Sequence, residues 1–352
     1  MSIKKILFIR LYSLGDIVLT ESCIRHAKQK NPESEIHYLT NPEYAQMVKE
    51  YFRADKVYRW DWKIDSIKDL KNEKYDIIID LQKNFTTFWI KLFCLSSKNI
   101  SYDKQLFRRF LIIKKFSLQQ IDSIVWSYLK TVDSNINKQK DIAPFYPVLS
   151  PKSEAISFIK DKFIAFNIPT DKYLIGIFPE ASHINKQYPI EKYANFISEV
   201  PDYWKCSFLI FGSWKDKSLF LKLKNFVNTK IYDLVGAFKA EELVVAMSIL
   251  DIIISNDSDA LHIAAALQKP QIVIYGATHT RLGYRPLNDN AVILQKNLNC
   301  QPCSIKGKNS CKKNTLACFR NIHSLELFDT FQTIFEDNLV LKSHSPSANK
   351  KV

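Results

Sequence analysis

Long hydrophobic runs are missing from this chain. No apolar stretch reaches the roughly 18 residues that a membrane-crossing helix needs, which excludes a transmembrane helix. An export signal is not expected either: Lys4 and Lys5 are followed by only four apolar residues, 6–9, before Arg10. That core is too short for a secretory signal, so the chain is expected to be cytoplasmic. Without export, the seven cysteines are expected as reduced thiols rather than a disulfide framework. Acid is in short supply: 36 Asp and Glu against 50 Lys and Arg leave a net charge of +14. Such a balance suits nucleic acid, an anionic membrane surface or phosphorylated substrates, but a genome rich in Lys, Ile and Asn gives the same excess. Charge alone selects none of them. Glycine is scarce, with seven residues, so its positions carry information. Gly15, Gly212 and Gly276 each follow an apolar run, where backbone freedom and close approach of a ligand matter.

What is present is a repeated alternation. A chain of 352 residues is long for one core, and two domains are expected. Apolar runs at 6–9, 36–39, 57–58 and 77–79 alternate with helical segments, among them 17–30 and 42–51. That pattern predicts an α/β fold whose parallel sheet is covered on both faces. Prolines at 144, 147 and 151 mark a boundary, giving an N-terminal domain at 1–150 and a C-terminal domain at 151–340. In the second domain, runs at 173–178, 208–211, 252–254, 272–275 and 292–294 again alternate with helical stretches. The residues 341–352 are polar and expected to be disordered.

The stretch 251–283, DIIISNDSDALHIAAALQKPQIVIYGATHTRLG, is the densest βαβ unit. Its polar turn, Ser255-Asn256-Asp257-Ser258, lies where a strand gives way to a helix, and His262 falls one turn into that helix. Parallel sheets bind ligands at such junctions because free helix N–H groups point outward there. The turn is thus a candidate anion or sugar-phosphate site. A second candidate is Ser13-Leu14-Gly15-Asp16. Gly15 is expected to make a tight turn, and Asp16 is either a helix cap or a general base facing a cleft. Lys186, in the loop before a helix at 190–200, can place a point charge on a phosphate or be merely solvated.

Two further motifs stand apart. Residues 104–116, KQLFRRFLIIKKF, interleave apolar residues with five cations, Arg108, Arg109, Lys114 and Lys115 among them. They can contact an anionic membrane or a phosphorylated lipid, or form an amphipathic helix packed on its own domain. Cys300, Cys303, Cys311 and Cys318 fall within 19 residues. They suggest either a structural zinc site or free thiols.

Three stretches in this order, ILFIRLYSLGDIVLT, IFPEASHINKQYPIEKYANFI and SNDSDALHIAAALQKPQIVIYGATH, give the chain a resemblance to glycosyltransferase family 9, the ADP-heptose:lipopolysaccharide heptosyltransferases. The Cys300/Cys303 loop is similar to a cysteine-rich loop in many members. The resemblance covers nearly the whole chain. It implies a GT-B architecture, two Rossmann-like domains whose parallel sheets face a central cleft. It implies acceptor binding by the first domain, nucleotide-sugar binding by the second, and an inverting transfer that needs no metal. Asp16 matches the family's base and Lys186 its phosphate-contacting lysine. Asp257 and His262, with Asn256 and Ser258 in the same turn, match its donor site. The chain departs from the family pattern at Glu180, Tyr188, Asp259 and Ala277. Glu180 and Asp259 add negative charge near the donor pocket, which leaves the donor sugar open.

The expected protein is therefore a peripheral enzyme of the inner membrane face that extends lipopolysaccharide or a related glycan. Its partners would be ADP-heptose or another nucleotide sugar, and an anionic lipid-linked saccharide. No nucleic-acid partner and no catalytic cofactor are expected. The rivals are a nucleotide-sugar epimerase of GT-B shape, a catalytically silent glycan-binding protein, and a zinc-dependent nucleic-acid binder.

Overall fold

Parallel strand pairing organises the computed structural model, which describes residues 3–94, 96–136, 143–169, 171–308 and 310–343. The chain divides into two units. One comprises Met1–Pro151 with Lys239–Val244 and Thr280–Leu287; the other comprises Lys152–Phe238, Val245–His279 and Asn288–Val352. Two short segments of the second half thus belong to the first unit.

The first unit contains β1 (Lys5–Ile9), α1 (Leu14–Leu19), α2 (Glu21–Lys30), β2 (Glu35–Thr40), α3 (Pro42–Tyr51), β3 (Lys56–Arg59), α4 (Ile64–Asn72), β4 (Ile77–Asp80), α5 (Phe85–Cys94), β5 (Lys98–Ser101), α6 (Leu106–Ile113) and α7 (Ile124–Val132). Its five strands run in the order β3-β2-β1-β4-β5, all parallel. β1 is central: Phe8 lies opposite Tyr38 on one side and Ile79 on the other. Leu7, Ile9, Leu39, Ile78 and Ile90 pack one face of this sheet. The helix expected at 17–30 is two helices, because the Thr20 hydroxyl turns back to the Ile17 carbonyl at 2.7 Å and meets Tyr38 Oη at 2.8 Å. A hydroxyl that bonds its own backbone in this way competes with helix continuation. The proline-marked stretch is tied to this unit: Arg25 donates to the carbonyls of Pro144 at 3.2 Å and Tyr146 at 2.7 Å, and Glu21 accepts from the Val148 N–H at 2.9 Å.

The second half contributes α8 (Ser153–Ala165), β6 (Tyr173–Phe178), α9 (Ile190–Glu199), β7 (Cys206–Ile210), α10 (Lys217–Phe226), β8 (Ile231–Asp233), α11 (Ala240–Ile249), β9 (Ile252–Asn256), α12 (Asp259–Ala266), β10 (Gln271–Tyr275), β11 (Ala291–Gln295), α13 (Ala317–Arg320) and α14 (Ser324–Ser343). Its six strands are also parallel, in the order β11-β10-β9-β6-β7-β8. Every residue of β9 and β10 is buried, as central strands covered on both faces require. α9 and α14 close one face through Phe196, Ile197, Leu327 and Phe331. The C-terminal helix extends to Ser343, so residues 341–343 are helical rather than part of a disordered tail; 344–352 lie outside the described residues.

Gly276 follows β10 but serves packing. A Cβ added there would stand 2.1 Å from Cζ of the buried Phe319 ring. Its carbonyl accepts from Gln301 Nε2 at 2.6 Å, so this turn is locked by the protein itself. Gly276→Ala must displace a core ring, and about 1–3 kcal/mol of stability should be lost. Thermal unfolding followed by near-ultraviolet circular dichroism should show a midpoint lower by several degrees; an unchanged midpoint would mean that the ring yields freely.

Candidate active site

In the first unit the chain leaves β1 at Ile9 and reaches α1 through Arg10 to Ser13. The left-handed residue of this turn is Ser13, with φ 69°, not Gly15, which lies within α1. Ser13 Oγ accepts the Asp16 N–H at 3.4 Å and caps the helix. Asp16 therefore stands one turn into α1, beyond the carboxyl end of the central strand. Its Oδ2 is ion-paired with Arg10 Nη2, while its Oδ1 is buried without a hydrogen-bond partner.

Arg10 is itself buried and held by two carbonyls, Leu81 at 2.5 Å and Tyr12 at 3.3 Å. Burial works against its charge, but the neighbouring Asp16 carboxylate outweighs that and raises its pKa, so the guanidinium stays protonated. Tyr102, Tyr128 and Tyr284 interact with the pair. Burial pushes all three phenols above their ordinary range, so they face the carboxylate as neutral groups. Arg109 also comes to this place. It is 3% exposed, its guanidinium carbon lies 5.0 Å from the centre of the Tyr284 ring, and its Nε and Nη2 are buried without partners. Those nitrogens form one edge of the guanidinium fork, the edge that takes a carboxylate or phosphate with two parallel hydrogen bonds. The four cations named from 104–116 thus separate: Arg108, Lys114 and Lys115 are exposed, and Arg109 is not. Arg10, Tyr102 and Tyr284 were not singled out in the sequence. Arg10 had a readable signal, a cation directly after the first strand.

In the second unit Asp257 follows β9. Its Oδ2 is ion-paired with Lys186 Nζ at 3.0 Å and accepts from Thr278 Oγ1 at 2.6 Å. Lys186 comes from the turn Ile184–Lys186 after β6, and Thr278 from the turn after β10, so three strand ends converge on one carboxylate. Thr278 went unnoticed in the sequence, although it stands two residues beyond Gly276. Gly307, with φ 70°, brings the cysteine loop onto Lys186: an added Cβ would lie 2.5 Å from Lys186 Cγ. His262 is buried on α12, and Ser258 precedes that helix without forming a side-chain cap.

Asn256 needs correcting as a donor contact. Its amide donates to the carbonyls of Pro179 at 2.7 Å and Glu180 at 3.4 Å, and its oxygen accepts from Tyr188 N–H at 3.1 Å and Tyr193 Oη at 3.2 Å. Fully buried and committed to the protein, it brackets the loop after β6 instead of facing a ligand. Gly212 is likewise structural: Asp216, which accepts from Ser213 N and Oγ, packs 3.1 Å from where its Cβ would be, and its carbonyl accepts the Gly236 N–H at 2.9 Å.

Among the described residues no three His, Cys, Asp or Glu side chains converge to hold a metal, which corrects the zinc expectation for the four cysteines. Cys318 is turned into the hydrophobic core beside Phe319, and Cys303 Sγ donates to the Cys300 carbonyl at 3.4 Å. Backbone N–H groups of residues 313–316 gather on Cys311, that of Leu316 foremost, and lower its pKa.

Glu180, Asp216 and Asp259 bring three carboxyls near one another at the strand ends. Glu180 Oε2 is buried without a partner, and burial, reinforced by Asp216 and Asp259, pushes the Glu180 pKa up to about 8.

The family model described as glycosyltransferase family 9 (heptosyltransferase) matches residues 64–314. Lipopolysaccharide heptosyltransferase 1 of Campylobacter coli is 27% identical over 309 residues, covering 82% of this chain and 89% of that protein. Among solved structures, ADP-heptose lipopolysaccharide heptosyltransferase II of Escherichia coli has a TM-score of 0.76 at 17% identity, covering 95% of this chain and 99% of that one. An Escherichia coli heptosyltransferase solved with ADP-2-deoxy-2-fluoro heptose has a TM-score of 0.63 at 16% identity, with coverage of 95% and 99%. These structures share the fold, two parallel sheets covered by helices in a GT-B-like arrangement.

The raised Glu180 pKa has a stability consequence of definite sign. The folded state holds this proton more tightly than the unfolded chain, so the carboxyl's contribution is complete below about pH 4.5 and is lost as pH rises towards 8. Glu180→Gln keeps the neutral shape and removes the titration. Its melting temperature should match wild type near pH 4.5, exceed it increasingly up to about pH 8, and hold a constant margin above that. Parallel melting curves at all pH values would contradict the burial of this carboxyl.

Proposed function

The chain belongs to glycosyltransferase family 9, the heptosyltransferases, and on that premise we propose that it transfers heptose from ADP-heptose to an anionic, lipid-linked saccharide of the lipopolysaccharide type. The observation that carries the reading is the state of Asp16: one carboxylate oxygen is clamped by Arg10, and the other is buried and unpartnered. Such a carboxylate is oriented to accept one proton from one direction. Asp16 Oδ1 takes the proton of the attacking acceptor hydroxyl. The hydroxyl oxygen bonds to the anomeric carbon as the bond from that carbon to the diphosphate breaks, and ADP leaves with the electron pair. A single displacement of this kind inverts the anomeric configuration.

The leaving diphosphate gains charge, and Lys186 with the backbone N–H groups at the start of α12 can stabilise it without a metal ion. In the ligand-free protein Lys186 is neutralised by Asp257. Donor binding would replace that carboxylate with phosphate, leaving Asp257 to accept hydrogen bonds from sugar hydroxyls. The relative solved with an ADP-heptose analogue supports the choice of donor. Glu180 and Asp259 favour a second reading of the donor alone, in which another nucleotide sugar fills the site. Arg109, with its unpartnered edge beside Tyr284, would hold an acidic group of the acceptor. No helix among the described residues is long and apolar enough to cross a membrane. The enzyme would meet its acceptor peripherally, at the inner face of the cytoplasmic membrane.

Asp16→Asn should reduce kcat by about 10²–10⁴-fold while the dissociation constant for ADP-heptose, read by calorimetry, changes by less than about threefold. Unchanged turnover would remove Asp16 from the base role. Arg109→Gln should raise the acceptor KM at least tenfold with the donor KM unaltered. An equal rise in both would place Arg109 elsewhere in the reaction. Transfer should persist in excess EDTA, and its abolition, restored by one divalent ion, would contradict the metal-free step.

A further inference from the structure

Helix α5 is built inside out. Its large apolar residues Phe85, Phe88, Trp89, Leu92 and Phe93 recur at i, i+3, i+4, i+7 and i+8, the spacing of a core-facing stripe. In the structure all five are exposed, Phe85 by 77%, while the opposite side, Thr87, Ile90 and Cys94, is buried. The rings are not scattered: Trp89 contacts Phe85, Phe88 and Phe93, with centroids 5.9, 5.7 and 6.4 Å apart. A second exposed group follows on and after α6, with Phe107, Phe110 and Phe116. The starts of the two helices are tied together by Lys104 Nζ, which donates to the Lys83 carbonyl at 2.7 Å. A contiguous apolar surface of this kind in water calls for an occupant.

Charge decides which. From residue 81 to 121 the sequence has eight Lys and Arg but a single acid, Asp103. Of these cations Lys83, Lys98, Arg108, Lys114 and Lys115 are exposed. Lys114 also lies 5.7 Å from the centre of the Phe110 ring. Tryptophan and phenylalanine flanked by Lys and Arg form the chemistry that settles into the headgroup region of an anionic bilayer. A second copy of this chain would bring the same cations face to face.

We propose that the exposed stripe of α5 is a membrane-insertion face. Trp89 and Phe93 would enter the headgroup and upper acyl layer of an anionic lipid surface, with the cations around α5 and α6 on its phosphates. The proposal rests on the reading of the acceptor as lipid-linked, and it identifies the part of the first unit that meets the bilayer.

Vesicle flotation of the full chain tests it, using acceptor-free vesicles of phosphatidylethanolamine with phosphatidylglycerol, and of phosphatidylcholine alone. Wild type should float with the anionic vesicles and much less with the neutral ones. Trp89→Ser/Phe93→Ser should bind the anionic vesicles at least tenfold more weakly, with an unchanged melting temperature and unchanged transfer to a water-soluble acceptor fragment. Thr86→Ser, on the same helix outside the stripe, should bind as wild type. Equal flotation of the double variant would overturn the proposal. So would a wild-type oligomer that the double variant dissolves and that never floats. Because these vesicles hold no acceptor, binding can fail while transfer survives, or the reverse, and the two readings are judged separately.

Discussion

The ion pair between Arg10 and Asp16 is the constraint on which the rest of the first unit depends. Two opposite charges sit at the end of the central strand, the Arg10 guanidinium buried and the Asp16 carboxylate partly so, and each offsets the desolvation of the other. The sheet order makes this possible. With β2 and β4 flanking β1, the residue after Ile9 emerges among neighbours on both sides, and the Leu81 carbonyl beyond β4 is in place to fix the guanidinium. The left-handed Ser13 then turns the chain so that the Asp16 carboxylate meets that guanidinium with one oxygen only. The other oxygen is thus left without a hydrogen-bond partner by the way the charge is stabilised.

The second unit solves a related problem with different parts. Asp257 is neutralised by a lysine on a short turn and also accepts a hydrogen bond from the Thr278 hydroxyl. The neighbouring Asn256 is consumed by donors and acceptors of the loop after β6 and of α9. Glu180 is the unusual feature of this end. A carboxyl held towards neutrality beside Asp216 and Asp259 offers a hydrogen-bond donor at neutral pH, not a third negative charge.

Much of this was legible in the sequence because it is local. Strand, turn and helix at 251–283 follow from apolar runs and Pro270, and the position of Asp16 and Asp257 just beyond strand ends follows from the same kind of runs. What escaped notice depends on distant neighbours. Nothing near Gly276 announces that Phe319 fills the space where a side chain would go. Asn256 reads as a ligand contact until Tyr188 and Tyr193 are seen to use its oxygen. Arg109 and Arg108 are adjacent cations, and only the arrival of Tyr284 from far along the chain separates a buried one from an exposed one. The stripe on α5 has the periodicity of a core face, and periodicity cannot say which side of a helix the sheet will cover.

The most direct measurement is product analysis. The purified chain would be incubated with ADP-heptose and a lipid-linked, heptose-deficient acceptor, and the acceptor examined by mass spectrometry and the new anomeric centre by NMR. Heptosyl transfer predicts an acceptor heavier by one heptose, ADP released in equal amount, and an anomeric configuration opposite to that of the donor. An unmodified acceptor with ADP-heptose, together with turnover of a different nucleotide sugar or of none, would contradict it.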